Sequence, residues 1–209
     1  MVEDCTSLLF GDGHFPTVTA NDKSTQEALG DFIRCAGIET VMIQMAQRAW
    51  LGSVALLVEL QAHRPVVRVL DTAYLTPVWD RATGALASVT ERFQVRGADL
   101  AAVGFDIPED DADVQYWWQR RWDADRCVVY TPSDEGFPTE EDLDRTTLHG
   151  FGFVPIVWVR TNDCCGASDE PDGPCLFECA IDNQIEVDYT LSQSGRGLKY
   201  SADPALVIK

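Results

Sequence analysis

Apolar residues follow a helical spacing through two neighbouring segments in the first quarter of the chain. The first segment opens with a capping box, in which Ser24 is the N-cap and Glu27 lies three residues further on. This pattern predicts a helix that ends near Gly37. Apolar residues three and four positions apart predict a second helix directly after it, through Val41, Met42, Met45, Ala46 and Ala49.

Six later segments alternate apolar and polar residues or form short apolar runs, which predicts strands separated by turns. They span residues 53–60, 66–70, 89–95, 116–122, 128–130 and 156–160. The sequence between them predicts connections, namely a Pro-containing stretch at 74–80 and acidic loops at 97–113 and 133–144. Two helices combined with hairpin-connected strands predict the α+β class.

The last part of the chain predicts one long helix. No Pro occurs from about Cys175 to about Tyr200, and at ~1.5 Å per residue such a helix would reach roughly 40 Å. Apolar residues recur along one side of it, at Leu176, Ala180, Val187, Leu191 and Leu198. Acidic residues recur every fourth position on another side, at Glu178, Asp182 and Glu186. A helix of this length is longer than one that lies on a sheet normally needs.

Charge and composition narrow the classes of partner. The chain has 16 basic and 34 acidic residues and a net charge of −18. A protein that grips nucleic acid does so largely with Lys and Arg, so this balance argues against tight binding but allows contact without retention. No apolar run approaches the ~20 residues that span a bilayer, and the first residues are acidic where a signal peptide is basic. We therefore expect a soluble protein with no membrane partner.

Catalytic and metal-binding signals are weak. The three histidines, His14, His63 and His149, have no fixed spacing to a nucleophile, and no Gly-x-Ser-x-Gly motif is present. Four of the seven cysteines lie near the end of the chain, at Cys164, Cys165, Cys175 and Cys179. Their spacing is not that of two zinc knuckles. We expect no enzyme activity, no metal and no cofactor, while a metal-binding regulatory domain and a small hydrolase remain alternatives.

Five phrases, taken in their order, resemble the portal proteins of tailed double-stranded-DNA bacteriophages. They are "LLFGDGHFP", "GSVALLVEL", "RPVVRVLDTAYLTPVWD", "HGFGFVPIVWVR" and the long helix that leads into "YSADPALVIK". No single phrase is specific, and the order and spacing of the five carry the resemblance. It covers nearly the whole chain, with gaps in the acidic loops.

The resemblance implies a structural role with no active site and no cofactor. Portals of this family form rings, typically of twelve subunits, at one vertex of the capsid in the virion, and they assemble in the host cytoplasm. They dock the large subunit of terminase, contact head-tail adaptor, scaffold and major capsid proteins, and let DNA pass with transient, non-specific contact. The family also implies a wing-like α+β domain at 1–160, a loop and long protruding stem-like helix at 161–201, and the start of a clip-like segment at 202–209.

If the helix lies beside the channel, as the resemblance implies, its acidic side and its apolar side suggest two surfaces. We expect the acidic residues Glu178, Asp182 and Glu186 to line the channel. DNA carries about one negative charge per 1.7 Å of its axis, so acidic walls would let it slide where basic walls would hold it. We expect the apolar residues to pack in the stem, namely Leu176, Ala180, Val187 and Leu191.

The chain also departs from the family pattern. A portal usually has more chain before the Leu-Phe-Gly turn, and it continues into a second stem helix and a crown. We therefore expect a truncated, split or remnant portal. Because its apolar stripe lacks the second stem helix, we expect weak or absent ring formation by this chain alone and some tendency to aggregate. A stable dodecamer in analytical ultracentrifugation would contradict this.

Overall fold

The fold was obtained as a computed structural model that describes residues 2–11, 14–62, 64–161 and 172–202. It is α+β, as the sequence predicts. The helices are α1 (Val2–Phe10), α2 (Lys23–Cys35), α3 (Ile38–Ala49), α4 (Gly97–Ala102) and α5 (Glu178–Ala202). The strands are β1 (Ser53–Gln61), β2 (Arg64–Leu70), β3 (Leu75–Trp79), β4 (Leu86–Arg96), β5 (Gln115–Trp122), β6 (Arg126–Tyr130), β7 (Glu141–Leu148) and β8 (Ile156–Arg160).

The strands form two antiparallel sheets that share one core. The smaller sheet has the order β2-β1-β8, and the larger has the order β3-β4-β5-β6-β7. Both sheets contribute to a buried cluster of Ala55, Leu57, Leu70, Leu75, Val89, Trp122, Val154 and Ile156. α2 and α3 contact the smaller sheet. The result is a body in which the two sheets hold each other in place.

The start of α2 differs from the predicted cap. The N-cap is Asp22 rather than Ser24, and its Oδ2 accepts hydrogen bonds from Ser24 Oγ at 2.5 Å and Thr25 N at 2.9 Å. The Ser24 hydroxyl and the Thr25 groups hold the pKa of Asp22 down at about 2. A carboxylate satisfies these donors better than a hydroxyl does, and its charge suits the positive end of the helix dipole.

Three predicted connections contain regular structure. Residues 75–79 form β3, an edge strand that tolerates Pro77 because one of its sides needs no ladder hydrogen bonds. The acidic stretch 97–113 contains α4 and a short 3₁₀ turn. The second acidic stretch runs into β7, the other edge strand, where charged side chains reach solvent.

The beginning of the chain holds a helix that the sequence did not predict. α1 carries Leu8, Leu9 and Phe10 at its end, where the sequence predicted only an apolar run entering a turn. After the helix, His14 N donates a hydrogen bond to Gly11 O at 3.3 Å. Asp12 and Gly13 lie outside the described residues.

An ion pair between the buried Glu91 and the half-buried Arg120 links β4 to β5. Glu91 lies directly opposite Arg120 in the strand register, and Arg120 Nε donates to Glu91 Oε2 at 2.6 Å. The guanidinium also lies over two rings on the same face of β5, 5.2 Å from the centroid of Trp118 and 4.4 Å from that of Trp122. Arg120 therefore packs within the body.

The Glu91–Arg120 pair predicts a difference between two neighbouring arginines. Arg120→Met leaves the Glu91 carboxylate buried without a partner, and breaking such a pair costs about 3 kcal/mol or more. Arg121→Met makes the same chemical change at an exposed position of the same strand and should stay within about 0.5 kcal/mol of the parent. Urea unfolding measures both free energies, and equal values would contradict the role given to the ion pair.

Candidate interaction helix and its anchor

α5 is the most exposed element among the described residues. It has 25 residues, which corresponds to roughly 37 Å, and every side chain from 181 to 200 is exposed. The long helix is as predicted, although it begins at Glu178 and not near Cys175. The predicted clip-like segment lies outside the described residues from 203 onward.

The segment before α5 is fixed to the turn between α3 and β1. Leu176 N donates to Trp50 O at 3.1 Å, and Gly173 N donates to Ser53 Oγ at 2.9 Å. The ring of Phe177 lies 6.1 Å from that of Trp50. These contacts hold the first turn of α5 against the body, and we call residues 172–177 the anchor.

The anchor depends on a close approach of two backbone segments. A Cβ atom on Gly173 would lie 2.3 Å from Thr161 O. This distance is too short for any residue that has a side chain, so the position requires glycine. Two hydrogen bonds fix the position of Thr161 itself. Its N donates to Gly52 O at 2.9 Å, in the turn after α3, and its Oγ1 donates to Ala49 O, at the end of α3. The end of β8, the end of α3 and the start of the α5 segment therefore meet at one place.

The three acidic residues predicted to line a channel form one ridge on α5. Glu178, Asp182 and Glu186 are all exposed, and a four-residue step turns a helix by only about 40° beyond a full circle, so they follow one another along one side. Like charges at this spacing weaken a helix by a few tenths of a kcal/mol per pair. Their role in a channel stays a prediction.

The predicted packing stripe starts half-buried and becomes exposed. Leu176 and Ala180 are partly covered near the anchor, whereas Val187, Leu191 and Leu198 are 51%, 64% and 72% exposed. No described residue covers this outer part of the stripe, which agrees with an apolar surface that packs on a partner.

The sequence interpretation missed a second apolar group on α5. Ile181, Ile185, Tyr189 and Tyr200 are also exposed, on a side roughly opposite to the stripe. The sequence does contain a signal for this group, because Ile181, Ile185 and Tyr189 recur every fourth residue. The acidic residues next to the isoleucines obscured that pattern. Arg196 and Lys199 lie in the last turns of the helix, so the charge runs from acidic to basic along α5.

The residues weighed for catalysis or metal binding do not form a cluster in the described part of the chain. His149 Nδ1 accepts from Phe151 N at 3.3 Å, and its ring stacks on that of Phe151. Cys175 Sγ donates to Trp50 O at 3.5 Å, as part of the anchor. His63, Cys164 and Cys165 lie outside the described residues. Among the others, no three His, Cys, Asp or Glu side chains come together as metal ligands.

Cys127 lines a cavity of about 390 Å³ beside Trp122, His149 and Phe151. Burial raises the pKa of the Cys127 thiol from 9.0 to about 11. The group is therefore a neutral thiol at physiological pH, and a neutral thiol is a poor nucleophile. The cavity lies at the edge of the hydrophobic core, and its cysteine is not activated as a nucleophile.

A wider groove of about 620 Å³ lies on the larger sheet beside α4. Its two arginines are already engaged within the chain. Arg120 binds Glu91, and Arg145 lies 4.0 Å from the centroid of the Phe105 ring and donates to Val103 O at 3.3 Å. Asp99 also lines the groove, and its Oδ2 lies 3.4 Å from Arg96 Nε. The groove therefore offers mainly apolar surface, and its charged groups are paired within the chain.

Comparison with known proteins assigns no family: no family model matches the chain, and no curated protein matches it. In the part of the chain that the structure describes, no helix combines the length and the apolar character needed to cross a membrane.

The anchor predicts a specific effect of Gly173→Ala. The added methyl group cannot fit against Thr161 O, so the segment must move and α5 should detach from Trp50. If the anchor loses ~1.4 kcal/mol, the detached state rises roughly tenfold, and chymotryptic cleavage after Phe177 rises with it. Mass spectrometry of the fragment that ends at Phe177 measures this rate.

Gly195→Ala is the matched control for the anchor. A Cβ at Gly195 meets nothing within 4 Å, and Ala favours a helix by about 1 kcal/mol over Gly. Cleavage after Phe177 should therefore be unchanged in this variant. An unchanged rate in Gly173→Ala as well would contradict the anchor.

Burial of Cys127 predicts slow modification of its thiol. With a pKa of about 11, only about 0.1% of the group is thiolate at pH 8, so iodoacetamide should label it at least about a hundredfold more slowly than the exposed Cys35 and Cys179. Peptide mass spectrometry follows each site, and equal labelling rates would contradict burial.

The raised pKa of Cys127 also makes the stability of the fold depend on pH. The stability that the buried thiol contributes is present below pH 9 and is lost as the pH rises toward 11.

Proposed function

We propose that this chain is a subunit, or part of a subunit, of the portal ring of a tailed double-stranded-DNA bacteriophage. The observation that carries the proposal is α5, a long exposed helix with an acidic ridge that is anchored at one end to an α+β body. The order of the five sequence phrases supports the same assignment. In this role, the body sits in the capsid vertex and α5 extends along the DNA channel.

The acidic ridge suits a wall that DNA passes without being held. Phosphates follow one another at about 1.7 Å along the duplex axis, and charges act over about 8 Å at physiological salt. A basic wall at that distance would create a deep attractive well. Glu178, Asp182 and Glu186 would repel the passing phosphates and keep the duplex near the axis.

The remaining surfaces supply the contacts that a portal needs. The apolar stripe from Leu176 to Leu198 packs against a neighbouring helix in the assembled stem. The exposed body offers surface to terminase, the head-tail adaptor, the scaffold and the major capsid protein. The role is structural and needs no catalytic residue.

A charge reversal on α5 tests the channel assignment. Changing Glu178, Asp182 and Glu186 to Lys places three positive charges where three negative charges stood, so DNA packaging into otherwise assembled heads should slow or stall. The matched control makes the same change at Glu109, Asp110 and Asp113, which are exposed on the body, and should leave packaging unchanged. Single-molecule packaging rates distinguish the two variants.

The portal role itself is tested by locating the chain in particles. Gold-labelled antibody against the body should mark one vertex of emptied phage heads, at the tail. Labelling that is absent from purified particles would reject the portal assignment. Labelling at the vertex with no effect of the α5 charge reversal would reject only the assignment of the ridge to the channel.

A further inference from the structure

α5 has a second face, centred on Tyr189, that combines apolar and charged residues. With about 100° of rotation per residue, eight apolar or charged residues fall within an arc of about 100°, beside Ser192. They are Glu178, Ile181, Asp182, Ile185, Tyr189, Arg196, Lys199 and Tyr200, and we call them the Tyr189 face. This face is roughly opposite to the apolar stripe, and its side chains are exposed.

We propose that the Tyr189 face is a contact between two copies of this chain, with their α5 helices antiparallel. Asp182 and Arg196 lie seven residues on either side of Tyr189. Antiparallel pairing about Tyr189 therefore sets Asp182 of each copy opposite Arg196 of the other. A two-fold contact repeats every interaction, so one complementary pair becomes two.

The charged residues nearer the two ends of α5 are also complementary in the antiparallel arrangement. Glu178 lies near one end of α5 and Lys199 near the other, so the same pairing brings each Glu178 close to Lys199 of the second copy. Asp182 and Arg196 are about 21 Å apart along one helix, which prevents a pair within a single chain. Along α5 itself these opposite charges are too far apart to pair, so their complementary pairs form between two copies.

The apolar residues give the contact its driving force. Ile181, Ile185 and Tyr189 are 50%, 62% and 65% exposed. At the usual separation of about 8–10 Å between packed helices, the two Tyr189 rings meet at the centre of the contact. Burial of these side chains removes apolar surface from water on both helices.

Electrostatics favours the antiparallel over the parallel arrangement. Most of the net charge of −18 lies outside α5. Antiparallel helices keep the two acidic bodies at opposite ends of the contact, whereas parallel helices would place them side by side. Parallel helices would also bring the two acidic ridges together, within the range of about 8 Å over which charges act at physiological salt.

This contact goes beyond the proposed portal role and does not rest on it. The dimer covers Glu178 and Asp182, so it is a form of the unassembled chain that is distinct from a ring. Its failure would leave the portal assignment intact, since that assignment is tested in particles.

Sedimentation equilibrium of the full chain with a matched pair of variants tests the face. Ile185→Asn and Leu191→Asn make the same kind of change at side chains that are 62% and 64% exposed, one on the Tyr189 face and one on the stripe. The parent chain should be dimeric at micromolar concentration, Ile185→Asn should be monomeric, and Leu191→Asn should remain dimeric. A monomeric parent chain, or equal effects of the two variants, would overturn the proposal.

A charge exchange tests the orientation of the helices. Asp182→Arg and Arg196→Asp should each weaken the dimer about threefold or more, because each sets two like-charged pairs face to face. The double variant should restore the parent dissociation constant. Asp182→Asn should also weaken the dimer although it lowers the net negative charge. A tighter dimer in Asp182→Asn, or no recovery in the double variant, would overturn the antiparallel contact.

Discussion

The close contact between Gly173 and Thr161 determines where α5 leaves the body. Because a Cβ atom on Gly173 would lie 2.3 Å from Thr161 O, the chain can approach this point only with a glycine. This close contact allows the backbone N–H of Leu176 to donate a hydrogen bond to Trp50 O, and it allows the Phe177 ring to pack on the Trp50 ring. The anchor thus fixes the point from which α5 extends away from the body.

The body and the helix differ in what stabilises them. The two sheets share a buried cluster and the Glu91–Arg120 ion pair, so their positions are set by packing within the chain. No described residue covers the outer part of α5, and most of the stability of a helix in a protein comes from tertiary packing rather than from intrinsic propensity. Contacts with a partner would therefore add to the stability of the helix as well as cover its apolar residues.

Local sequence pattern was sufficient for the elements whose cause is local. The helical spacing of α3, the apolar runs of β1 and β8 and the uninterrupted α5 were all predictable, and so was the four-residue recurrence of the acids. The cap of α2 was misplaced because Asp22 and Ser24 are both good N-cap residues and only geometry separates them. β3 and β7 were missed because Pro77 and a run of acidic residues are tolerated on edge strands.

The anchor was beyond the reach of sequence patterns because its partners are far apart in the chain. Gly173 bonds to Ser53, 120 residues away, and nothing near either residue marks the contact. The Tyr189 face was missed for another reason, since its isoleucines alternate with acids and a search for one apolar stripe finds the other side first. Periodicity thus identified α5, but only the exposure of its side chains showed that the helix has two apolar faces.

Amide hydrogen exchange, resolved by residue, tests the central claim most directly. If α5 is anchored as described, the amides of Gly173 and Leu176 exchange slowly, at rates comparable to those of amides in β1, because their hydrogen bonds to Ser53 and Trp50 persist. The amides of 190–200 should exchange faster, since no described residue covers that part of the helix. Exchange of the Gly173 and Leu176 amides at the rate of an unstructured chain would contradict the account.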